Sequence, residues 1–354
     1  MDNSNPLGLF SDKLFYSAHF MDPAIWESYV RQACKQHGFG CKRVIPGLPG
    51  SFPTFIVELE AEVVQQQFSF MVVKFFGPLF EGAASFHVEQ TMGHFLRQHP
   101  LSIFSPSILA NGQLAPEWWY LIFEYIPGMS IGQTRHQLSA DTWTGVARQM
   151  GEFMKALHST TATILPELLM SPSGMYWDGF VDFLELQRAH CYANHQKWND
   201  LPLHLLEQVK DFILPVEQLL DLSALPHLIH ADLTSDHLLG VLAPTPGVSP
   251  IDSQSSPIGG TVWHPLAIID WGDARVGNIL YELVALHLDL FQADKHLLHS
   301  CLEVYGLSDF YCQDFPRKAL SMVLLHQFPM PADIYAPHRD ARTLQELAER
   351  LFGI

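Results

Sequence analysis

Residues 228–240 read LIHADLTSDHLLG, and the meaning of this stretch decides the fold. An apolar run enters His230, Asp232, Asp236 and His237 and leaves through Leu238 and Leu239. Four groups able to bind a metal or move a proton sit on one short turn. A metal site, a general base and a charged surface loop all fit it, so the rest of the chain has to decide. Further on, HPLAIIDWGDARVG (264–277) has a similar form: a strand-like apolar run ends at Asp270 and is followed by Trp-Gly.

Towards the N-terminus, one lysine, Lys74, interrupts the apolar run FMVVKFF (70–76). Burying an unpaired ammonium is costly, so Lys74 needs either a strand edge or a partner. The next segment, SFHVEQTMGHFLRQH (85–99), reads as a helix and carries Glu89. A Lys–Glu pair between a strand and its following helix would hold the ammonium where it can grip phosphates. WWYLIFEYIPG (118–128) reads as a strand that ends at the Pro127-Gly128 break.

Other elements follow from capping and periodicity. Asp22 with Pro23 starts a helix whose face is Ile25, Tyr29 and Ala33, and Gly38 ends it. Phe55, Val57 and Leu59 alternate as in a half-buried strand. Ser139 caps a helix with Val146, Met150, Phe153 and Leu157 on one side. Residues 241–262 are rich in Pro, Ser and Gly and are expected to form a mobile loop. The order is a strand-rich first third, a break, and a helix-rich remainder. No internal repeat is seen.

Composition narrows the class. The 354 residues suit two lobes rather than one core, and the apolar share of 48% excludes a disordered chain. Twenty basic against 37 acidic residues give a formal charge of −17, which opposes nucleic acid or an anionic membrane as partner. The same charge would favour a cationic small molecule, or it simply keeps the chain in solution. The apolar runs are too short to span a bilayer. The N-terminus does not read as a secretory signal. The five scattered cysteines form no C-x-x-C pair and read as reduced thiols of a cytoplasmic protein.

Taken together, Lys74, Glu89, the break, Asp232 and Asp270 are the parts that phosphoryl transfer needs. One carboxylate accepts the proton of an acceptor hydroxyl, another holds Mg2+ against the phosphates, and a lysine neutralises charge. LIHADLTSDHLL with AIIDWGDARVGNILYEL (267–283) resembles the aminoglycoside phosphotransferase family, across roughly residues 40–330. The resemblance implies an α+β, bilobal, protein-kinase-like fold. A small β-rich nucleotide-binding lobe with an N-terminal helical extension would cover residues 1–126, and a larger helical catalytic and substrate-binding lobe 127–354. It implies Asp232 as catalytic base, Asp270 as Mg2+ ligand, Lys74 as the phosphate lysine and Glu89 as its partner. It also implies that the nucleotide base meets backbone groups of the 123–128 hinge, at Glu124 C=O and Ile126 N–H.

Two positions depart from the family pattern. His237 stands where the second metal ligand is usually Asn, and imidazole suits Mn2+ better than Mg2+. The loop PGLPGSFPTF (46–55) has Gly47 and Gly50 but no full glycine pattern, so phosphate contacts would come from backbone N–H groups near Ser51. Pro53 removes one such donor. The expected activity is therefore transfer of the γ-phosphate of ATP or GTP to a hydroxyl of a small molecule, such as an aminoglycoside-like compound, amino alcohol or sugar. The alternative is a catalytically silent, kinase-like nucleotide-binding or interaction module. A metal hydrolase is disfavoured, because no second His/Asp cluster with ligand spacing lies outside the D-W-G segment.

Overall fold

The structure is a computed structural model that describes residues 6–60, 69–160, 177–220, 226–244, 261–307 and 314–353. Most of the Pro/Ser/Gly-rich stretch, 245–260, lies outside the described residues. The chain divides into two compact units. The first comprises Met1–Pro100, Phe104–Gly128 and Leu266–Asp273; the second comprises Leu101–Ile103, Met129–Pro265 and Ala274–Ile354.

The first unit is built on a five-stranded antiparallel sheet in the order β1-β2-β3-β5-β4. The strands are β1 (Cys41–Pro46), β2 (Thr54–Leu59), β3 (Phe70–Phe76), β4 (Ile108–Ala115) and β5 (Trp118–Glu124). β3 is an almost unbroken apolar run because both its faces are covered. Met71, Val73 and Phe75 join Phe55, Val57, Trp118 and Tyr120 in a core that also takes residues of the N-terminal helices. On the opposite face Phe76 packs with Phe52, Phe86 and Leu121. Lys74 belongs to this second face by strand alternation.

Helix α1 (Lys13–His19) is capped by Asp12, whose carboxylate accepts from Leu14 and Phe15 N–H. Helix α2 (Pro23–Gln36) is capped by Asp22, with Pro23 at its first position, as the sequence indicates. It buries Trp26, Val30, Ala33 and Cys34, while Ile25 and Tyr29 flank that face. The apolar stripe is therefore rotated by about one residue from the expected Ile25–Tyr29–Ala33 line. Neighbouring positions are apolar in pairs, and the larger Trp26 takes the centre of the core. Helix α3 (Gly82–Gln98) buries Phe86, Val88, Glu89 and Met92.

Residues Leu266–Asp273 join this unit through backbone pairing. Phe104 bridges Ala267 in parallel, and Ile268 N–H donates to Phe104 C=O at 2.8 Å.

The second unit is mainly helical. Helix α4 (Ile131–Thr134) opens on a reciprocal cap between Ser130 and Gln133. Helix α5 (Ala140–Ser159) is capped by Ser139 and buries Val146, Met150, Phe153 and Leu157, the face read from the sequence. Helices α6 (Trp177–Trp198), α7 (Ile279–Ala285), α8 (Lys295–Tyr305), α9 (Phe315–Leu324) and α10 (Leu344–Phe352) complete its main helical elements. α7 runs on into a wider π turn, Leu286–Leu290. Gly151 lets α5 approach α8 closely, since a Cβ there would collide with the Cys301 carbonyl.

Short strands frame the 228–240 turn. β6 (Met129–Ser130), β8 (Leu238–Pro244) and β9 (Thr261–Ile268) form one sheet, and β7 (His227–Ile229) pairs antiparallel with β10 (Arg275–Gly277).

Candidate active site

In the first unit, the Lys74 ammonium donates to Glu89 Oε2 and to Asp270 Oδ1, each at 2.7 Å. The three residues come from β3, α3 and the turn after β9. Lys74 and Glu89 are nearly sealed from solvent, with side chains 7% and 5% exposed, while Asp270 keeps 28%. Phe52 and Phe76 cover the ammonium, with ring centroids at 5.6 and 5.2 Å. Burial alone would disfavour the charged lysine. The Asp270 and Glu89 charges and their hydrogen bonds outweigh it and raise its pKa above the ordinary lysine value. Asp270 is the more exposed of the two acids.

Asp270 sits at φ 64°, a left-handed conformation unusual for a residue with a Cβ. Such strain costs about 1–3 kcal/mol and tends to gather at functional positions. Trp271 Nε1 donates to Ile268 C=O at 3.2 Å and fixes the turn.

Around the same unit, Ser51 is exposed in the β1–β2 loop, and its carbonyl accepts from Tyr16 Oη at 2.6 Å. Glu124 closes β5 opposite Met71, and its N–H donates to Ser107 C=O at 2.9 Å. Ile126 follows, half-buried, in the segment that leads to Gly128. Trp118 is in the core and Trp119 packs on the Phe86 ring.

The second unit carries the 228–240 turn. His230 is fully buried; its N–H donates to Glu282 Oε2 at 2.8 Å, and its Nδ1 accepts the Asp232 N–H at 3.3 Å. Ala231, between them, is left-handed at φ 68°. His237 Nδ1 lies 2.7 Å from Asp232 C=O and 3.6 Å from the Asp232 carboxylate. A nitrogen at that distance from a carbonyl carries the proton, so Nε2 holds the lone pair in the neutral ring.

The turn is gripped from its other side. Ser235 N–H donates to Asp289 Oδ1 at 2.6 Å, and Ser235 C=O accepts from Gly132 N–H at 3.1 Å. Arg135 donates to the carbonyls of Asp289 and Leu290, which holds the π turn that carries Asp289. Asp178, Asp182 and Glu185 lie exposed on α6, as a solvated face would.

Two of these residues escaped the sequence reading. Glu282 is the single acid in ILYELVALHL, the same signal that marked Lys74. Asp289, in HLDLF (287–291), is a second such acid, and both hold backbone N–H groups of the turn.

The first unit thus holds an ammonium between two carboxylates, and the second carries a histidine-braced turn that bears Asp232. The family described as the phosphotransferase enzyme family matches residues 50–244, more than half of the chain. The chain belongs to that family.

Among solved structures, the GDP complex of wild-type aminoglycoside 2'-phosphotransferase-IIIa superposes with a TM-score of 0.61 at 15% identity, covering 94% of this chain and 97% of that one. Aminoglycoside phosphotransferase APH(4)-Ia gives 0.51 at 16% identity, covering 92% and 97%. At these identities the likeness is one of fold, and the fold is α+β and protein-kinase-like. Lysine-specific demethylase JMJ21 of Arabidopsis thaliana is 26% identical over 239 residues, 60% of this chain but 24% of that protein. The chain thus spans about a quarter of the length of that curated relative.

Proposed function

We propose that the chain transfers the γ-phosphate of ATP or GTP to a hydroxyl of a small molecule. The observation that carries this reading is Lys74 between Glu89 and Asp270, in a chain of the phosphotransferase enzyme family. In this reading residues 1–126 bind the nucleotide and 127–354 bind the acceptor and catalyse. Lys74, steadied by Glu89, neutralises phosphate oxygens. Backbone groups near Ser51 contact phosphates, and Glu124 C=O and Ile126 N–H meet the base edge. Asp232 takes the proton as the acceptor oxygen bonds to the γ-phosphorus and the nucleoside diphosphate departs.

The residues fit a divalent cation. Among the described residues no cluster of three or more His, Cys, Asp or Glu could hold a metal by itself. Mg2+ ordinarily needs only one or two carboxylates, with phosphate oxygens completing its shell, and Asp270 offers such a carboxylate. When bound, Mg2+ would supply charge neutralisation on the phosphates. His237 would ligate through Nε2, which favours Mn2+.

The structural relatives include complexes with GDP and kanamycin and with AMP-PNP and hygromycin B. The charge of −17 supports a cationic, hydroxyl-bearing acceptor. Cytoplasmic residence is part of the proposal; the described cysteines are free, and no described helix is long and apolar enough to cross a membrane.

A second reading, a silent nucleotide-binding module, is favoured by His237 Nδ1 engaging the backbone of the turn. The test is a nucleotide-consumption screen with ATP and GTP over hydroxylated amines, sugars and aminoglycosides, with Asp232→Asn as control. Consumption in wild type alone supports transfer. Nucleotide binding with no consumption across the panel supports the silent module.

A further inference from the structure

The β1–β2 loop has Gly47 and Gly50 but not the full glycine pattern of an adaptable phosphate-binding loop, and residues 51–54 are each fixed by a partner. Tyr16 Oη donates to Ser51 C=O at 2.6 Å. Phe52 is buried against Phe76, ring centroids 5.0 Å apart. Pro53 C=O accepts from Phe75 N–H at 2.9 Å. Thr54 N–H donates to Met21 Sδ at 3.5 Å, and Thr54 C=O accepts from Gly47 N–H at 2.8 Å. Two of these ties, Tyr16 and Met21, come from the helical N-terminal segment.

The Tyr16 tie has a directional consequence. In a trans peptide the C=O and the following N–H point in opposite directions. Fixing Ser51 C=O on Tyr16 therefore aims the Phe52 N–H away from α1. Pro53 has no N–H, so Phe52 is the last donor before the chain enters β2. Tyr16 itself is well held: it is 4% exposed, stacks on Phe20 at 5.4 Å, and meets Phe10 and Phe80 edge-on. Burial raises its phenol pKa, so it remains a donor across the working pH range.

We propose that residues 6–22 act as a clamp on the β1–β2 loop, and that Tyr16 is a positioning residue that aims the Phe52 amide at a nucleotide phosphate. The clamp replaces glycine flexibility with a fixed donor. The nucleotide part of this rests on the phosphotransferase reading; the clamp itself does not.

The test uses Tyr16→Phe in the full chain, which removes one hydroxyl and keeps the ring. Amide hydrogen exchange is measured without nucleotide, and affinity is measured with non-hydrolysable ATP and GTP analogues plus Mg2+. Exchange over 47–54 should rise, while α3 should stay unchanged. Analogue affinity should fall about three- to tenfold, the worth of one hydrogen bond, and the acceptor KM should not move. Met21→Leu, which keeps volume and removes the sulfur acceptor, should give a smaller rise over the same peptide.

Unchanged loop exchange in Tyr16→Phe would overturn the clamp. Faster exchange with unchanged affinity would overturn the aiming of Phe52. If wild type bound neither analogue, the phosphotransferase reading and the nucleotide role of Tyr16 would both fall, and the exchange data would still decide the clamp.

Discussion

The two polar clusters are held by different forces. In the first unit, Glu89 and Asp270 hold the Lys74 ammonium as charges, side chain to side chain, with Lys74 and Glu89 nearly sealed from solvent and Asp270 more open. In the second, the turn around Asp232 is held mainly through its backbone: Glu282 grips His230 N–H, His237 grips Asp232 C=O, and Asp289 grips Ser235 N–H. A charge triad fixes the positions of groups that receive other charges. A backbone cage fixes the turn that bears Asp232 without relying on that carboxylate. Substitutions should therefore fail in different ways in the two regions.

The largest difference is expected between the two aspartates. Asp232→Asn should lose about 10²–10⁴ in transfer rate, the usual worth of a positioned proton acceptor, with nucleotide affinity kept within a few-fold. Under the proposed function Asp270→Ala should instead lose Mg2+-dependent nucleotide affinity, because the oxygen ligand proposed for the metal would be gone. Calorimetry with each variant separates them. Loss of nucleotide binding in Asp232→Asn would break the division of roles.

Next is stability. Lys74→Met leaves the buried Glu89 without its cation and should destabilise by about 3–5 kcal/mol. Adding Glu89→Gln should recover much of that loss, because a neutral amide no longer needs a counter-charge. Urea unfolding of the single and double variants tests it. A double variant as unstable as the single would mean that packing around Phe52 and Phe76, rather than charge, sets the cost.

The backbone cage should respond more gently. Asp289→Ala leaves the Ser235 N–H without its acceptor, worth about 1–3 kcal/mol. Asp289→Asn keeps a carbonyl oxygen there and should restore most of it. The effect should be read in kcat with the nucleotide KM unchanged. A change confined to nucleotide KM would show that Asp289 does not act through the turn.

How much of this was legible in the sequence follows the same division. Lys74 stood out because a lone charge in an apolar strand demands a partner, and Glu89 was the nearby acid on the following helix. That Asp270 would complete the triad, 196 residues further on, depended on how the chain returns beside α3, which periodicity does not carry. Glu282 was equally legible as a lone acid in an apolar helix. Asp289, between Leu288 and Leu290, was legible in the same way, but the partners of Glu282, Asp289 and Tyr16 were not, because each binds a backbone group, and a backbone partner leaves no complementary residue to find. Capping predicted the ends of α2 and α5 well, since Asp22 and Ser139 act within their own turns. The buried face of α2 shifted because a neighbouring surface chose between Ile25 and Trp26.

The smallest effect is expected at His237, where the two kinds of support meet. His237→Asn should keep activity within a few-fold, and its metal response tells which role the histidine plays. With Nδ1 donating to Asp232 C=O, His237 already braces the turn, and an Asn amide N–H can partly replace that bond. If the ring also ligates through Nε2, wild type should gain more than the variant when Mn2+ replaces Mg2+, because Mn2+ accepts nitrogen more readily and the Asn carbonyl suits Mg2+. Initial rates of both proteins, titrated with both metals, decide it. Superimposable metal profiles would assign His237 to the backbone cage alone. A Mn2+ preference lost in the variant would place it on the metal as well, and one residue of the cage would then also bind charge, as the triad does.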